Sequence, residues 1–129
     1  MLERDAFSAW LGLELVALAP GGCTARMTVR PEMVNGFGVC HGGVTFSLAD
    51  SALAFASNTH GRVTVSIENS ISYPAAVRLG DTLTATATEE TAGKRLAFYR
   101  VTVVNQRDET VALFRGTVYR TDRVLGADS

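Results

Sequence analysis

The segment from His41 to Asn58 constrains the fold of this chain more than any other feature. Its pattern predicts a long helix that is apolar on almost every side and begins at a His-Gly-Gly turn. Asp50 is the only charged residue in this segment. A helix that is apolar all round is normally buried. We therefore expect the rest of the chain to wrap around it.

The same helix carries the groups that predict a reaction centre. Helix N-termini present unpaired backbone N–H groups and a partial positive charge, and Gly42 and Gly43 would let another molecule approach them closely. A carboxylate in an apolar helix costs free energy unless it is paired or used, so we interpret Asp50 as functional. Ser51 beside it could contact water or substrate. These residues predict a site that binds a developing oxyanion and supplies a carboxylate for attack or for activating water.

A purely structural interpretation stays open at this stage. The two glycines could form a tight turn capped by the His41 side chain, with Asp50 on a polar face of the helix. Ser47, Ser51 and Ser57 are the main other polar interruptions. They leave little room for such a polar face.

Length and composition limit the class of protein. The chain has 129 residues, which fits a single domain over residues 1–129. Hydrophobic residues make up 47%, as in an ordinary globular protein. The net charge of −1 and the lack of a basic run predict no nucleic-acid partner and no membrane-surface partner. No apolar stretch reaches the length of a transmembrane helix.

The N-terminus and the two cysteines predict the compartment. Glu3 and Asp5 stand where a signal peptide would carry basic residues. Cys23 and Cys40 form no disulfide framework, and no Cys/His cluster has the spacing of a metal site. We expect a cytoplasmic protein with reduced thiols, no metal and no cofactor.

The rest of the chain predicts an α+β fold. We expect a short helix from Glu3 to Leu11 and a frayed tail from Arg123 to Ser129. The short turns between the last three predicted strands indicate an antiparallel meander. An antiparallel sheet of five to six strands must wrap the long central helix, because one flat face would not cover it. The predicted strands are Glu14–Ala19, Cys23–Arg30, Val63–Tyr73, Thr82–Glu90, Arg95–Asn105 and Thr110–Thr121.

Three segments around the helix start form one motif, and three others support it. The motif segments are Met33–Gly36 (MVNG), Cys40–Gly43 (CHGG) and Phe46–Ala52 (FSLADSA); the supporting segments are Ser72–Pro74, Gly80–Ala85 and Val111–Thr117. Together they resemble the hot-dog-fold acyl-CoA thioesterases, and specifically the phenylacetic acid degradation branch. His-Gly-Gly alone would be a weak signal. Followed by Leu-Ala-Asp at this spacing, with Asn-Gly upstream, it is a specific one.

The resemblance implies an activity and a role for each motif residue. It implies hydrolysis of an acyl-CoA, with phenylacetyl and ring-hydroxylated phenylacetyl groups favoured and other medium-chain or aromatic acyl groups as the alternative. Asp50 matches the catalytic carboxylate, acting as nucleophile or as general base on water. The Gly42 N–H matches the donor that polarises the thioester carbonyl, with Gly43 and Ser51 as substrate contacts. Asn35 matches a loop residue that orients the carbonyl or the attacking water, and His41 matches a residue that lies beside the thioester.

These roles agree with the chemistry of thioester hydrolysis. The sequence also leaves a few alternatives open. Preorganised N–H donors stabilise an oxyanion strongly, and the CoA thiolate leaves with little need of an acid. Cys40 beside His41 could suggest a Cys-His nucleophile, but adjacent side chains diverge. A hot-dog dehydratase and a non-catalytic acyl-CoA-binding module stay open as other functions. Four basic residues could hold the CoA phosphates or be ordinary surface charges: Lys94, Arg95, Arg120 and Arg123.

Helix geometry predicts that the site is shared between two chains. Asp50 follows Gly42 by eight residues, which is about 12 Å along a helix. Attack needs the reacting atoms about 3–3.5 Å apart, close to the oxyanion donors. One helix therefore cannot easily supply both groups. We expect a symmetric homodimer with two shared active sites, and the resemblance implies the same dimer, with dimers pairing into a homotetramer.

Overall fold

A computed structural model describes residues 4–125 of the protein. The helices and strands are α1 Ala6–Leu11, β1 Glu14–Ala19, β2 Gly22–Thr28, α2 Gly42–Ser57, β3 Arg62–Ser72, β4 Thr82–Ala92, β5 Leu96–Val104 and β6 Thr110–Val124. Each predicted element is present, with ends that move by a few residues. The predicted helix start at Glu3 lies outside the described residues.

The C-terminal tail begins later than the sequence predicted. Strand β6 continues to Val124, where it pairs with Arg62 of β3. The Arg62 side chain also donates to the carbonyl of Thr121 at 2.8 Å. These contacts with β3 hold the chain in register past Arg123. The last predicted tail residues, 126–129, lie outside the described part.

The six strands form one antiparallel sheet in the order β1-β2-β4-β5-β6-β3. The predicted meander is confirmed for β4, β5 and β6, whose short turns place each strand beside the next. Strand β3 lies beyond β6, at the edge of the sheet. Helix α2 follows β2 in the chain and precedes β3, so it carries the chain across the sheet to that far edge. The α+β prediction of a helix packed on an antiparallel sheet is confirmed.

Helix α2 packs against all six strands. Its own residues Leu48, Ala52 and Leu53 are almost completely buried on the side that faces the sheet. Gly116 of β6 faces α2 closely, since a Cβ there would lie 2.8 Å from Leu53 Cδ2 and 2.7 Å from Asn69 Oδ1. Glycine leaves the room that these two side chains occupy. The core is therefore the layer between α2 and the concave face of the sheet.

One side of α2 is not fully covered by its own sheet. Gly43 is exposed, and Ser47, Asp50 and Ala54 are part-exposed, whereas most of the other helix residues are buried. Their spacing of four, three and four residues places them on one face of the helix. We call this face the open stripe. The sheet therefore wraps α2 as expected, except along this stripe.

No helix among residues 4–125 has the length and hydropathy to cross a membrane.

Candidate active site

The chain enters α2 along a fixed path that leaves the helix start uncapped. The N–H of Cys40 donates to the carbonyl of Val77 at 2.7 Å, and that of His41 donates to Met33 at 2.9 Å. His41 is the N-cap residue, but its exposed side chain makes no capping hydrogen bond. Among residues 4–125, the N–H groups of Gly42 and Gly43 have no acceptor. The positive end of the helix is therefore available to a ligand.

A pocket of about 190 Å³ lies beside this helix start. The hydroxyl of Tyr73, which follows β3, donates to the Gly42 carbonyl at 2.7 Å. A Cβ on residue 42 would lie 2.9 Å from that hydroxyl oxygen, so glycine is required for the contact. The pocket is lined by Val39, Cys40, Gly42, Thr45, Tyr73, Ala75, Ala76 and Val77.

Asn35 lies in the loop that leads to the helix. Its side-chain Oδ1 accepts the N–H of Phe37 at 2.8 Å and that of Val39 at 3.2 Å. The backbone of the same loop closes on itself where the Asn35 N–H donates to the Val39 carbonyl. Within the described chain the Asn35 amide nitrogen has no hydrogen-bond partner. This nitrogen can therefore donate a hydrogen bond to a ligand.

Asp50 lies on the open stripe of α2, two turns after the helix start. Its carboxylate makes no hydrogen bond or ion pair with any residue between 4 and 125. Burial raises the pKa of Asp50 above that of an ordinary carboxyl, and the negative charge of Asp5 raises it further. A half-buried carboxylate with no partner is a stronger base than a solvated one. It is the kind of group that reactions use.

Ser51 occupies a different environment from its neighbour Asp50. It is buried, and its hydroxyl lies 3.0 Å from the hydroxyl of Ser8 in α1. Ser8 in turn donates to the carboxylate of Asp5 at 2.7 Å. This chain of hydrogen bonds fastens α1 to α2 beside Asp50. The predicted contact of Ser51 with substrate stays a prediction.

The other candidate reactive side chains are buried or paired with other residues of the chain. Cys40 is buried, and burial raises the pKa of its thiol, which disfavours the thiolate that a nucleophile needs. Cys23 and Cys40 are both free thiols. His60, in the turn after α2, lies 2.9 Å from the Glu89 carboxylate. Among the basic residues, Arg95 is paired with Asp122 at 2.8 Å.

The fold brings together part of the predicted site. His41, Gly42 and Gly43 lie at one point, and the loop of Asn35 leads directly into it. Asp50 and Ser51 lie about 12 Å further along the same helix, at 1.5 Å per residue. Tyr73 lies in the supporting segment Ser72–Pro74, whose pattern indicates no role for it. Its contact with Gly42 spans 31 positions of the chain, and no local pattern signals such a contact.

Comparison with known proteins identifies the family. The profile of the thioesterase superfamily matches residues 37–112. The acyl-coenzyme A thioesterase PaaI of Escherichia coli K12 is 42% identical over 120 residues, which cover 93% of this chain and 86% of that protein. This chain belongs to the thioesterase superfamily. Human acyl-coenzyme A thioesterase 13 is 35% identical to this superfamily member, over 82% of this chain and 78% of that protein.

Solved structures of similar proteins agree with this fold. The E. coli PaaI protein from the phenylacetic acid degradation operon matches with a TM-score of 0.94 and 41% identity, covering 96% of this chain and 90% of that one. A Streptococcus mutans protein solved bound to acetyl CoA matches with a TM-score of 0.84 and 28% identity, covering 87% and 90%. The hot-dog fold and the resemblance to the phenylacetic acid degradation thioesterases are confirmed.

Proposed function

We propose that this protein hydrolyses acyl-CoA thioesters to the free acid and CoA. The observation that carries the proposal is the uncapped start of α2, where two N–H groups without acceptors among residues 4–125 border a pocket. Attack on a thioester carbonyl creates a negative oxygen, which such donors stabilise. The E. coli relative is named an acyl-CoA thioesterase, which supports the same activity here.

The favoured acyl groups are phenylacetyl and ring-hydroxylated phenylacetyl. The E. coli structure with the same fold comes from the phenylacetic acid degradation operon. The pocket beside Gly42 has mainly apolar walls, with Val39, Ala75 and Val77 among them. An apolar wall suits a hydrocarbon ring or a medium-length chain. Other aromatic and medium-chain acyl-CoAs are the alternative substrates.

Asp50 supplies the reactive carboxylate of this reaction. As a general base it takes a proton from water while the water oxygen forms a bond to the thioester carbon. As a nucleophile it forms that bond itself, giving an anhydride that water then cleaves. In both cases the C–S bond breaks and the CoA sulfur leaves as a thiolate. The raised pKa of Asp50 strengthens it as a base.

Three residues position the reacting groups. The Gly42 N–H polarises the thioester carbonyl and then holds the oxyanion. The free amide nitrogen of Asn35 donates to the carbonyl or orients the water, because its Oδ1 is already engaged with its own loop. The exposed side chain of His41 lies at the mouth of the helix start and borders the thioester.

Two chains share each site in this proposal. Gly42 and Asp50 lie on one continuous helix, about 12 Å apart along its axis, so one helix cannot present both to one carbonyl. The open stripe of α2 runs from Gly43 past Asp50 to Ala54 and is the surface that a second α2 would cover. Antiparallel helices related by a two-fold axis place the Asp50 of one chain near the Gly42 of the other.

The edge of the sheet supports the same dimer. Within residues 4–125, strand β3 of 11 residues pairs only with β6, and its other side is a free edge. Val65 and Ile67 on it are 48% and 57% exposed. A long edge strand that exposes apolar side chains is a template for pairing with another chain. A second β3 would continue the sheet and bring the two α2 helices side by side.

The outer face of the sheet offers a second surface for pairing dimers into a tetramer. Leu96 lies opposite Tyr119, and Phe98 lies one position further along the same face. These side chains and Leu113 are each about half exposed. An exposed apolar cluster of this kind is typical of interaction surfaces. We also propose that residues 1–129 form a single domain and that the protein is cytoplasmic.

A thiol-release assay tests the function. We expect the purified protein to liberate CoA from phenylacetyl-CoA and 4-hydroxyphenylacetyl-CoA, with kcat/KM above that for medium-chain acyl-CoAs. Release of free thiol is followed with a chromogenic thiol reagent. Tight binding of acyl-CoA with no thiol release indicates a binding module. Loss of water from a hydroxyacyl-CoA without thiol release indicates a dehydratase.

A further inference from the structure

Tyr73 contacts the peptide group that joins Gly42 to Gly43, at the start of α2. Its hydroxyl donates to the Gly42 carbonyl at 2.7 Å. Its ring also lies close beside Gly42, since a Cβ on residue 42 would lie 3.0 Å from the ring carbon that bears the hydroxyl. Tyr73 therefore crowds the side-chain position of residue 42 as well as hydrogen-bonding to its carbonyl.

The position of Tyr73 is set by the chain on both sides of it. Strand β3 ends at Ser72 and is hydrogen-bonded to β6 up to that residue. Pro74 follows, and the residue before a proline is restricted to extended conformations. The ring is 46% exposed and forms part of the pocket wall. The hydroxyl is thus carried to the helix start by a rigid support.

The carbonyl that Tyr73 holds belongs to the same peptide group as the Gly43 N–H. A peptide group is planar and trans, so its C=O and N–H point in opposite directions. A hydrogen bond that fixes the carbonyl therefore also fixes the direction of the N–H. Such a bond polarises the amide as well, and hydrogen bonds in a chain strengthen one another by roughly 10–30%.

We propose that Tyr73 is a positioning residue that orients and polarises the Gly43 N–H as a second oxyanion donor beside Gly42. The proposal rests on the thioesterase function proposed above. The two donors are held by different bonds. The peptide that carries the Gly42 N–H is fixed by the helix itself, since the His41 carbonyl accepts the Val44 N–H at 3.0 Å. The next peptide has Tyr73 as its additional anchor.

The same arrangement explains the two adjacent glycines. Gly42 is required because a side chain there would collide with the Tyr73 hydroxyl. A Cβ on Gly43 would meet no atom of residues 4–125 within 4 Å, so the fold leaves the space beside Gly43 open. An oxyanion and the thioester attached to it need such open space.

The test begins with Tyr73→Phe, which removes the hydroxyl and keeps the ring. We expect kcat for phenylacetyl-CoA to fall about 3- to 10-fold, as for the loss of one hydrogen bond, with KM changed less than about 2-fold because the bond acts on the transition state. The matched control is Tyr99→Phe, which also removes one hydrogen bond, the 2.9 Å bond from the Tyr99 hydroxyl of β5 to the Glu89 carboxylate of β4. The control should keep the wild-type kcat.

A double-mutant cycle asks whether Tyr73 acts through the Gly43 N–H. Gly43→Pro deletes that N–H in the first turn of α2, where proline is tolerated, and Gly43→Ala keeps it. Tyr73→Phe should lower kcat in the Ala background and leave it unchanged in the Pro background. Circular dichroism and thermal unfolding check that each variant folds. If Gly43→Pro does not fold, the comparison of Tyr73→Phe with Tyr99→Phe still decides.

Three results would overturn the inference. One is a Tyr73→Phe protein with wild-type kcat. Another is a loss in KM confined to ring-hydroxylated acyl groups, which would make Tyr73 a contact for the substrate ring. The third is an equal loss in the Ala and Pro backgrounds. The absence of thiol release by the wild-type protein would instead refute the proposed function itself.

Discussion

The two ends of α2 are built in opposite ways. At its C-terminal end the Ala54 carbonyl accepts the side-chain amide of Asn58 at 2.6 Å, and the Ala56 carbonyl accepts the hydroxyl of Thr59 at 2.7 Å. The Asn58 side chain also accepts the N–H of Thr64 at 3.1 Å. At its N-terminal end, no side chain of residues 4–125 caps the helix N–H groups. One end is closed by the protein's own groups and the other is left for a ligand.

This difference shows how one helix can serve stability and function separately. Helix ends leave backbone groups without partners, and satisfying them stabilises the protein. The closed C-terminal end has such partners and gains this stabilisation. The open N-terminal end lacks them, so its N–H groups remain able to hold a charge that forms only during reaction. Changes at the open end should therefore affect activity, and changes at the closed end should affect stability.

The largest expected effect comes from Asp50, on the open side of the helix. Asp50→Asn should lower kcat about 10²- to 10⁴-fold, because the amide can neither attack nor accept a proton from water. Steady-state kinetics with phenylacetyl-CoA measures it. Binding of CoA and the circular dichroism spectrum should stay as in the wild type. Turnover near the wild-type rate would contradict the role of Asp50.

The same variant should also be more stable at neutral pH. Burial and Asp5 raise the pKa of Asp50 in the folded state. A carboxyl with a raised folded pKa contributes stability below its unfolded pKa and loses it as the pH rises through the folded value. Ionised Asp50 therefore destabilises the fold, and asparagine relieves this. Urea unfolding should show a higher midpoint for Asp50→Asn at pH 7 and a shrinking difference as the pH falls toward about 4.

Mixing two inactive proteins tests whether the open end needs a second chain. The first protein is Asp50→Asn, and the second combines Gly42→Pro with Tyr73→Phe. Proline removes the Gly42 N–H at the first helical position, where it is tolerated, and Tyr73→Phe removes the hydroxyl that its ring would meet first. In a mixed dimer one site pairs an intact Gly42 and Tyr73 with an intact Asp50.

Random mixing makes about half of the dimers mixed, each with one good site of two, so activity should recover to about a quarter of the wild type. Mass spectrometry should confirm subunit exchange, and each protein alone gives the baseline. If exchange occurs without recovery, and both proteins are folded, the shared site is wrong. That result, no recovery, is the one expected if Gly42 and Asp50 of the same chain formed each site.

The dependence of kcat/KM on pH tests the same contrast, because Asp50 on the open stripe is the group whose ionisation should change the rate. With one essential carboxylate, kcat/KM should fall about tenfold per pH unit below the pKa of Asp50 and reach a plateau above it. The midpoint should lie above about 3.9, the ordinary value for aspartate, because burial raises the pKa of Asp50. A steep fall on the alkaline side, in protein that is still folded, would point to a required proton donor, with His41 the first to examine.

The smallest effect is expected at the closed end. Asn58→Ala should lower the free energy of unfolding by about 1–3 kcal/mol, since it leaves the Ala54 carbonyl and the Thr64 N–H with fewer partners. The kcat should stay as in the wild type, because residue 58 lies about 24 Å from Gly42 along the helix. Urea unfolding and steady-state kinetics measure the two quantities. A large loss of kcat with little loss of stability would contradict the assignment of stability to the closed end and of activity to the open end.

The local features of the protein could be read from its sequence. The helix that begins at the His-Gly-Gly turn, its lone carboxylate and the β4-β5-β6 meander all follow from periodicity, turn residues and helix-end chemistry within short windows. Those same windows supplied the motif around Asn35, Gly42 and Asp50. Backbone preferences and burial of apolar side chains act over a few residues, so their pattern survives in a linear sequence.

The tertiary structure decided what depends on distant partners. It placed β3 beyond β6, left the open stripe of α2 uncovered, and joined Ser51 to Ser8 across 43 positions. It also brought the Tyr73 hydroxyl onto the Gly42 carbonyl, across 31 positions. Such contacts arise when whole elements pack, and a tyrosine after a strand looks the same in sequence whatever it meets. Sequence therefore determined which chemical groups the helix start presents, and packing determined what holds them in place.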